Sequence, residues 1–166
     1  HSYGAGDVEV AQLMQRFGVN YLAVAFADEG IVLRQKGITM PILVLNADQG
    51  SFDKMISYSL EPEIYSLHSL RDFVASAERY GLSAYPIHLK IDTGMHRLGF
   101  VEDDVDLLGR AIHLDPTLRI ASIFSHLATA DMPEEDDFTR QQIERFDYMS
   151  EQLIEWLDYT PMRHLA

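Results

Sequence analysis

Residues 85–126 read YPIHLKIDTGMHRLGFVEDDVDLLGRAIHLDPTLRIASIFSH, and this stretch decides the fold. It contains two short apolar runs, 85–92 and 119–126, with a helical pattern over 102–112 between them. Both runs are apolar on both faces, which is typical of strands in a parallel sheet that helices cover on each side. The stretch therefore predicts a strand–helix–strand unit with parallel strands.

The same alternation of short apolar runs and longer amphipathic runs recurs along the whole chain. The further predicted strands are 21–26, 41–46, 62–67 and a last one that begins near Met162. The further predicted helices are 8–17, 28–36, 69–80 and 139–157. Strand–helix alternation repeated about five times predicts right-handed crossovers and a parallel sheet.

Two α/β architectures satisfy this pattern, a doubly wound sheet and a (β/α)8 TIM-type barrel. A complete barrel typically needs ~250 residues, whereas this chain has 166. The barrel interpretation therefore predicts an incomplete barrel of about five to six β/α units. No low-complexity tract or Pro/Ser-rich linker interrupts the chain, so we predict no internal domain boundary. In either architecture, chemistry is expected just past the carboxyl ends of the strands.

The most regular helical pattern, 139–157, carries an apolar stripe opposite a charged face. The predicted stripe consists of Ile143, Phe146, Met149, Leu153 and Trp156. We interpret this stripe as core packing rather than as part of a cofactor site.

The composition limits the classes of partner. The chain has 13 Lys and Arg against 26 Asp and Glu, a formal net charge of −13. Because phosphate binding needs a concentrated basic surface, we predict no nucleic-acid partner. No apolar run approaches the ~20 residues of a membrane span, so we predict no membrane partner. The absence of cysteine excludes disulfides and cysteine-based metal sites. These features fit a cytoplasmic protein.

Three features at the predicted strand ends carry only a weak signal by themselves. The opening turn, YGAG at 3–6, precedes a helix whose N-terminus could bind an anion, but such a turn is more often only a turn. His126 ends an apolar strand, and His164 lies on the last predicted strand. A lone histidine at such a position is more often a satisfied core residue than a catalyst.

The stretch 85–100 carries a stronger signal. Period-two alternation puts His88, Lys90 and Asp92 on one face of the strand. Lys90 and Asp92 could therefore form a structural ion pair, or they could belong to a functional site. Arg97 follows a glycine turn at the expected rim, where its planar guanidinium is suited to a carboxylate or a phenolate.

These motifs resemble those of alanine racemases, which are fold-type III pyridoxal-phosphate enzymes. Residues 88–100 closely resemble their segment H-L-K-x-D-T-G-M-x-R-L-G. Residues 125–131, SHLATAD, resemble their H-x-A-x-A-D strand end, and the opening turn resembles the tail of their lysine motif, K-A-x-A-Y-G-H-G. The resemblance covers essentially all of the chain.

The resemblance implies a pyridoxal 5′-phosphate cofactor and a role for five residues. Tyr3 matches the tyrosine that contacts the cofactor phosphate. Arg97 matches the catalytic arginine that bonds the phenolic oxygen and helps to hold the substrate carboxylate, and Lys90 matches the lysine that is carbamylated in many members and orients that arginine. His126 matches the histidine beside the pyridine ring. His164 matches a histidine that lies behind the residues in contact with the cofactor. No metal site is implied.

The resemblance also implies what lies outside these residues. Residues 1–166 would be an interior piece of the cofactor-binding barrel, with the catalytic lysine upstream and a C-terminal β-domain downstream. That β-domain supplies a second base, a tyrosine, across a homodimer interface. We therefore expect the parent enzyme to interconvert L- and D-alanine for peptidoglycan synthesis, and we expect the piece alone to be inactive and to self-associate. Two positions depart from the family pattern: Ala5 replaces a histidine and His96 replaces a glycine.

Other functions remain open at this stage. Within the fold type, the parent could be a broad-specificity amino-acid racemase, a decarboxylase or a small cofactor carrier. From a different class, a metal-dependent barrel hydrolase would use His88, Asp92, His126 and His164 as zinc ligands. We rank the hydrolase low because no His-x-His pair opens an early strand.

Overall fold

The computed structural model describes residues 6–166, which form six α-helices, two short 3-10 helices and six strands. The chain divides into two compact units, residues 1–63 and 64–166. The elements of the first unit are α1 (Asp7–Arg16), β1 (Leu22–Val24), α2 (Ala27–Gln35), β2 (Ile42–Val44), α3 (Phe52–Ser57) and β3 (Glu61–Ile64), whose last residue belongs to the second unit. The elements of the second unit are α4 (Leu67–Arg79), β4 (Tyr85–Lys90), α5 (Val105–His113), β5 (Leu118–Ser125), α6 (Asp136–Ile154) and β6 (Met162–Leu165).

The first unit contains three parallel strands in chain order, each joined to the next by a helix. Ala23 of β1 lies opposite Leu43 of β2, and Leu43 lies opposite Glu61 of β3. All of β2 and β3 is buried, as expected for strands that are covered on both faces. The short helix α3 has no counterpart in the sequence-based prediction.

The second unit contains β4, β5 and β6, again parallel and in chain order. Because the strands are parallel, their carboxyl ends lie at the same edge of the sheet, which is where the candidate site residues fall. A register shift between Ile87 and His88 interrupts the pairing of β4 with β5. β4 ends at Lys90, so the alternation that we predicted over 85–92 is wrong at Asp92, which lies beyond the strand.

Helix α6 starts and ends earlier than the predicted 139–157, and its buried face differs from the predicted stripe. Phe146, Met149 and Leu153 are buried as predicted. Ile143, however, is 37% exposed, while Gln142 is fully buried. The prediction is therefore wrong at Ile143, and Trp156 lies past the end of the helix.

Gly109 lets the indole of Trp156 lie against α5. A Cβ atom at position 109 would overlap Cδ1 and Nε1 of the Trp156 indole. Overpacking should cost Gly109→Ala about 1–3 kcal/mol, and alanine gains ~1 kcal/mol over glycine inside a helix. We therefore expect a net loss of up to about 2 kcal/mol in the free energy of unfolding. Urea denaturation measures the change. If the indole is the cause, Gly109→Ala costs much less in a Trp156→Leu background, and an equal cost in both backgrounds would contradict it.

No helix among the described residues combines the length and the apolar character that a membrane span requires.

Candidate functional site

Residues 91–100 form a loop that two backbone hydrogen bonds close at the carboxyl end of β4. The N–H of Phe100 donates to the carbonyl oxygen of Lys90 (2.9 Å), and the N–H of Asp92 donates to the carbonyl oxygen of Phe100 (2.8 Å). Phe100 and Ile91 thereby form an isolated parallel β-bridge. The motif D-T-G-M-x-R-L-G is thus a closed loop anchored at both ends on one strand.

Asp92 holds the first half of this loop. Its Oδ1 accepts hydrogen bonds from the N–H groups of Gly94 (2.9 Å) and His96 (3.1 Å). The ion pair that we considered between Asp92 and Lys90 does not form in the described part of the chain; the ring of His96 lies 3.9 Å from the Asp92 carboxylate instead. His96 has a φ of 55°, a left-handed conformation that glycine adopts without strain. The departure from the family pattern at His96 therefore falls where glycine is physically favoured.

Arg97 is exposed in the second half of the loop. Within residues 6–166 its guanidinium makes no hydrogen bond or ion pair. Five N–H donors in a rigid fork are therefore available to a ligand, and this geometry matches a carboxylate or a phenolate.

One row of side chains crosses the three strands in register. Lys90 on β4 lies opposite Phe124 on β5, and Phe124 lies opposite His164 on β6. The Nζ of Lys90 is 5.5 Å from the centroid of the Phe124 ring, a cation–π distance. The His164 ring stacks on Phe124 with 5.0 Å between centroids and 1° between planes. The strand pairing therefore places two predicted site residues, Lys90 and His164, on either side of one aromatic ring.

The hydroxyl of a serine on β5 lies within hydrogen-bond distance of two histidine rings. Ser122 Oγ lies 2.7 Å from His88 Nδ1 and 3.3 Å from His164 Nε2. Ser122 and His88 are both fully buried. A hydroxyl has one proton, so it can donate to one ring and accept from the other. Ser122 carries no signal in the sequence, because its role depends on the registers of both neighbouring strands.

His164 is held in its neutral form. Burial lowers the pKa of His164 below its usual 6.5, and the charge that His88 can carry lowers it further. Because protonation is disfavoured in the folded state, the ring contributes most to stability above pH 6.5, and that contribution falls as the pH drops toward the folded-state pKa.

We expect an NMR titration to give His164 a pKa below 6.5. His88→Gln removes the smaller cause, so the pKa of His164 should rise in this variant without reaching 6.5. A pKa of His164 that does not move in His88→Gln would show that the two rings are not electrostatically linked.

His126 follows β5, and its ring is half-buried without a hydrogen-bond partner in the described part of the chain. Its backbone carbonyl accepts a hydrogen bond from Gln142 Nε2 (3.3 Å). The sequence analysis missed Gln142, which also contacts the start of the Arg97 loop through Thr93. The signal that could have identified Gln142 is its spacing on α6, which matches that of Phe146, Met149 and Leu153.

Two sequence-based predictions concern other positions. Tyr3, predicted to contact the cofactor phosphate, lies outside the described residues. Within the described residues, no group of three or more His, Asp and Glu side chains is placed to hold a metal ion. His88, Asp92, His126 and His164 are therefore not gathered into the zinc site that a hydrolase would need.

A family model described as "Alanine racemase, N-terminal domain" matches residues 1–166. The chain belongs to this family.

Individual relatives agree with this assignment. The chain is 37% identical to the alanine racemase of Thermodesulfovibrio yellowstonii over 99% of its own length and 43% of that protein. It is also 37% identical to the alanine racemase of Geobacillus stearothermophilus, over 97% of its own length and 40% of that protein. The chain thus spans a little under half the length of the curated relatives it matches.

Solved structures of alanine racemases share the fold. The enzyme of Clostridium difficile 630 aligns with a TM-score of 0.89 and 35% identity over 99% of this chain and 43% of that chain. The enzyme of the D-cycloserine producer Streptomyces lavendulae aligns with a TM-score of 0.89 and 28% identity over 99% and 44%, respectively. The predicted fold class, an incomplete β/α barrel of the alanine racemase type, is confirmed.

Proposed function

We propose that the whole protein is a pyridoxal-phosphate-dependent alanine racemase, which interconverts L- and D-alanine and supplies D-alanine for peptidoglycan. The observation that carries this proposal is the closed loop 91–100, which presents an arginine without a protein partner among the described residues at the carboxyl end of a barrel strand. Its residues match the family motif at every specified position, and they depart from the family pattern only at His96. Racemisation of alanine is also what the names of the relatives imply.

The donor set at this edge fits the cofactor chemically. Pyridoxal phosphate carries a phenolic oxygen and an aromatic ring, and its amino-acid substrate carries a carboxylate. The exposed guanidinium of Arg97 offers paired donors to oxygen anions, and the His126 ring offers a flat, half-buried surface. Both residues follow neighbouring strands, β4 and β5, at the edge where barrel enzymes place their active sites.

The residues of this chain would bind and orient. Arg97 would hold the phenolic oxygen and the substrate carboxylate, and His126 would lie beside the pyridine ring. His164, in its neutral form, would support the part of the site that holds the pyridine ring. It would do so through its stack on Phe124 and its contact with Ser122. When bound, the cofactor supplies an electron sink that makes the α-proton of alanine removable.

Lys90 would act on Arg97 rather than on the substrate. Lys90 is a buried residue, 8% exposed, and its Nζ lies 5.5 Å from the centroid of the Phe124 ring. Carbamylation, the addition of carbon dioxide to Nζ with loss of two protons from the ammonium group, would replace the positive charge by a carboxylate that can orient Arg97. Intact-protein mass spectrometry under native conditions would detect this added mass, and Lys90→Met would remove it.

The remaining parts of the machinery belong to the rest of the protein. We infer that the cofactor-binding lysine precedes Tyr3, that a C-terminal β-domain supplies the tyrosine base across a homodimer interface, and that the enzyme is cytoplasmic. The 166 residues alone would then be inactive. They would also self-associate, because α1 and its flank expose apolar side chains such as Phe17, which is 78% exposed.

The test uses the whole protein. With pyridoxal phosphate added, L-alanine should racemise in a chiral assay, and borohydride reduction should trap the cofactor on a lysine just upstream of Tyr3. L-serine, L-lysine and L-ornithine, assayed in parallel for racemisation and carbon dioxide release, separate alanine racemase from a broad-specificity racemase or a decarboxylase. A protein that forms no adduct and contains stoichiometric zinc would refute the proposal in favour of the hydrolase.

A further inference from the structure

Gln142 is a fully buried amide on α6, in a row of otherwise apolar core positions. Burial of an amide costs free energy unless its hydrogen-bonding groups are satisfied. Its Oε1 accepts from the N–H of Ala128 (2.9 Å), and its Nε2 donates to the carbonyl of His126 (3.3 Å) and to Thr93 Oγ1 (3.2 Å). Both amide protons and the amide oxygen are therefore used.

These partners fix the orientation of the amide. A backbone N–H can only donate and a backbone carbonyl can only accept, so the oxygen must face Ala128 and the nitrogen must face His126. A glutamate at position 142 could still accept from Ala128, but it would have no proton for His126 or Thr93. Its second carboxylate oxygen would face a carbonyl oxygen in a buried site.

The hydrogen bonds from Gln142 continue through two buried hydroxyls to Ile91, the first residue of the loop 91–100. Ser125 Oγ donates its one proton to the carbonyl of Ile91 (2.7 Å). The Thr93 hydroxyl, 3.0 Å from Ser125 Oγ, must then donate to it and accept from Gln142. The direction of every bond from Gln142 to Ile91 is thus determined, and Thr93 and Ser125 are each 1% exposed.

Two segments are tied to one helix by this arrangement. Thr93 lies at the start of the loop that carries Arg97, and His126 begins the segment that follows β5. Arg145, one turn along α6, adds a hydrogen bond from Nη1 to the carbonyl of Thr93 (3.3 Å). The distance between the Arg97 loop and His126 therefore depends on α6, which has no residue in the proposed chemistry.

We propose that Gln142 is a positioning residue that sets the Arg97 loop against the His126 segment. This inference rests on the proposed function, in which Arg97 and His126 are two of the residues that contact the cofactor and the substrate. The effect depends on the hydrogen-bond donors of the Gln142 amide rather than on the volume of the side chain. A misplacement of about 1 Å at catalytic groups can cost on the order of 100-fold in rate, so a buried amide far from the substrate can matter to catalysis.

The test compares Gln142→Glu with Gln141→Glu in the whole protein. Gln141 is the neighbouring residue on the same helix and is exposed, so its variant adds the same charge without touching the network. Gln142→Glu should lower kcat/KM for alanine roughly 10- to 100-fold, mostly in kcat, while the absorbance of bound cofactor shows full occupancy. Gln142→Leu removes all three hydrogen bonds without burying a charge. If Gln142→Glu does not fold, Gln142→Leu takes its place in the test, and the same loss of kcat/KM is expected.

Hydrogen–deuterium exchange provides a readout that does not depend on activity. In the protein without added cofactor, peptides covering 93–100 and 126–131 should exchange faster in Gln142→Glu and Gln142→Leu than in Gln141→Glu. Unchanged exchange in both segments, or a kcat/KM equal to that of Gln141→Glu, would overturn the positioning role. If the two Gln142 variants show this exchange pattern but the wild-type protein does not racemise alanine, only the proposed function is refuted.

Discussion

Gly99→Ala is expected to open the loop 91–100 and to lower the stability of the protein together with any activity that depends on Arg97. A Cβ atom at position 99 would lie 2.6 Å from the backbone nitrogen of Asp92 and 2.7 Å from the carbonyl carbon of Ile91. These are backbone atoms, so no side-chain rotation can relieve the overlap. The φ of Gly99 is 136°, which side-chain-bearing residues rarely adopt.

The expected cost is large because strain and overlap act together. Each contributes about 1–3 kcal/mol, so Gly99→Ala should lower the free energy of unfolding by roughly 2–6 kcal/mol. Gly18→Ala is the matched control, since Gly18 also has a positive φ (72°), but a Cβ atom there would meet no atom within 4 Å beyond its immediate neighbours. It should show the strain alone, about 1–2 kcal/mol. Equal losses in urea denaturation at the two positions would contradict a steric role for Gly99.

The strands and the candidate loop could be predicted because their signals are local. Each strand is a short apolar run, and the motif 88–100 is contiguous in sequence. The contacts of Ser122 could not be predicted in the same way. They require the register of β4 on β5 and of β5 on β6, and the first of these contains an irregularity at Ile87 and His88 that no local pattern indicates.

The buried face of α6 shows where the apolar pattern misled the prediction. Successive helical residues are rotated by about 100°, so positions 142 and 153 lie about 20° apart, whereas positions 143 and 153 lie about 80° apart. Spacing alone thus favours Gln142 over Ile143. Hydrophobicity favoured Ile143, because an amide is buried only when partners exist, and these partners come from the distant segments around Thr93 and Ala128.

The short helix α3 was missed for a different reason. It spans six residues, Phe52–Ser57, which is fewer than two turns. A period of 3.6 residues cannot be recognised over so short a segment, and tertiary packing rather than propensity stabilises a helix of this length. Phe52, Met55 and Ile56 supply that packing, because all three are buried.

Arg97→Ala is expected to separate activity from stability, in contrast to Gly99→Ala. Arg97 is exposed and has no protein partner within residues 6–166, so its removal should change the free energy of unfolding by no more than about 0.5 kcal/mol. If it holds the phenolic oxygen and the substrate carboxylate, two charge-assisted contacts of about 1.5–3 kcal/mol each are lost. Together they correspond to a fall in kcat/KM on the order of 1,000-fold.

The pattern across variants tests the geometry of this contact as well as its charge. Arg97→Lys keeps the charge but loses the planar fork, so it should recover only part of the lost kcat/KM. Arg140→Ala is the control, because Arg140 is another exposed arginine, whose only ion pair within residues 6–166 is with Asp137 on the same helix. Its kcat/KM should stay within about twofold of wild type. Full activity in Arg97→Lys would show that charge alone is needed, and full activity in Arg97→Ala would remove Arg97 from the site.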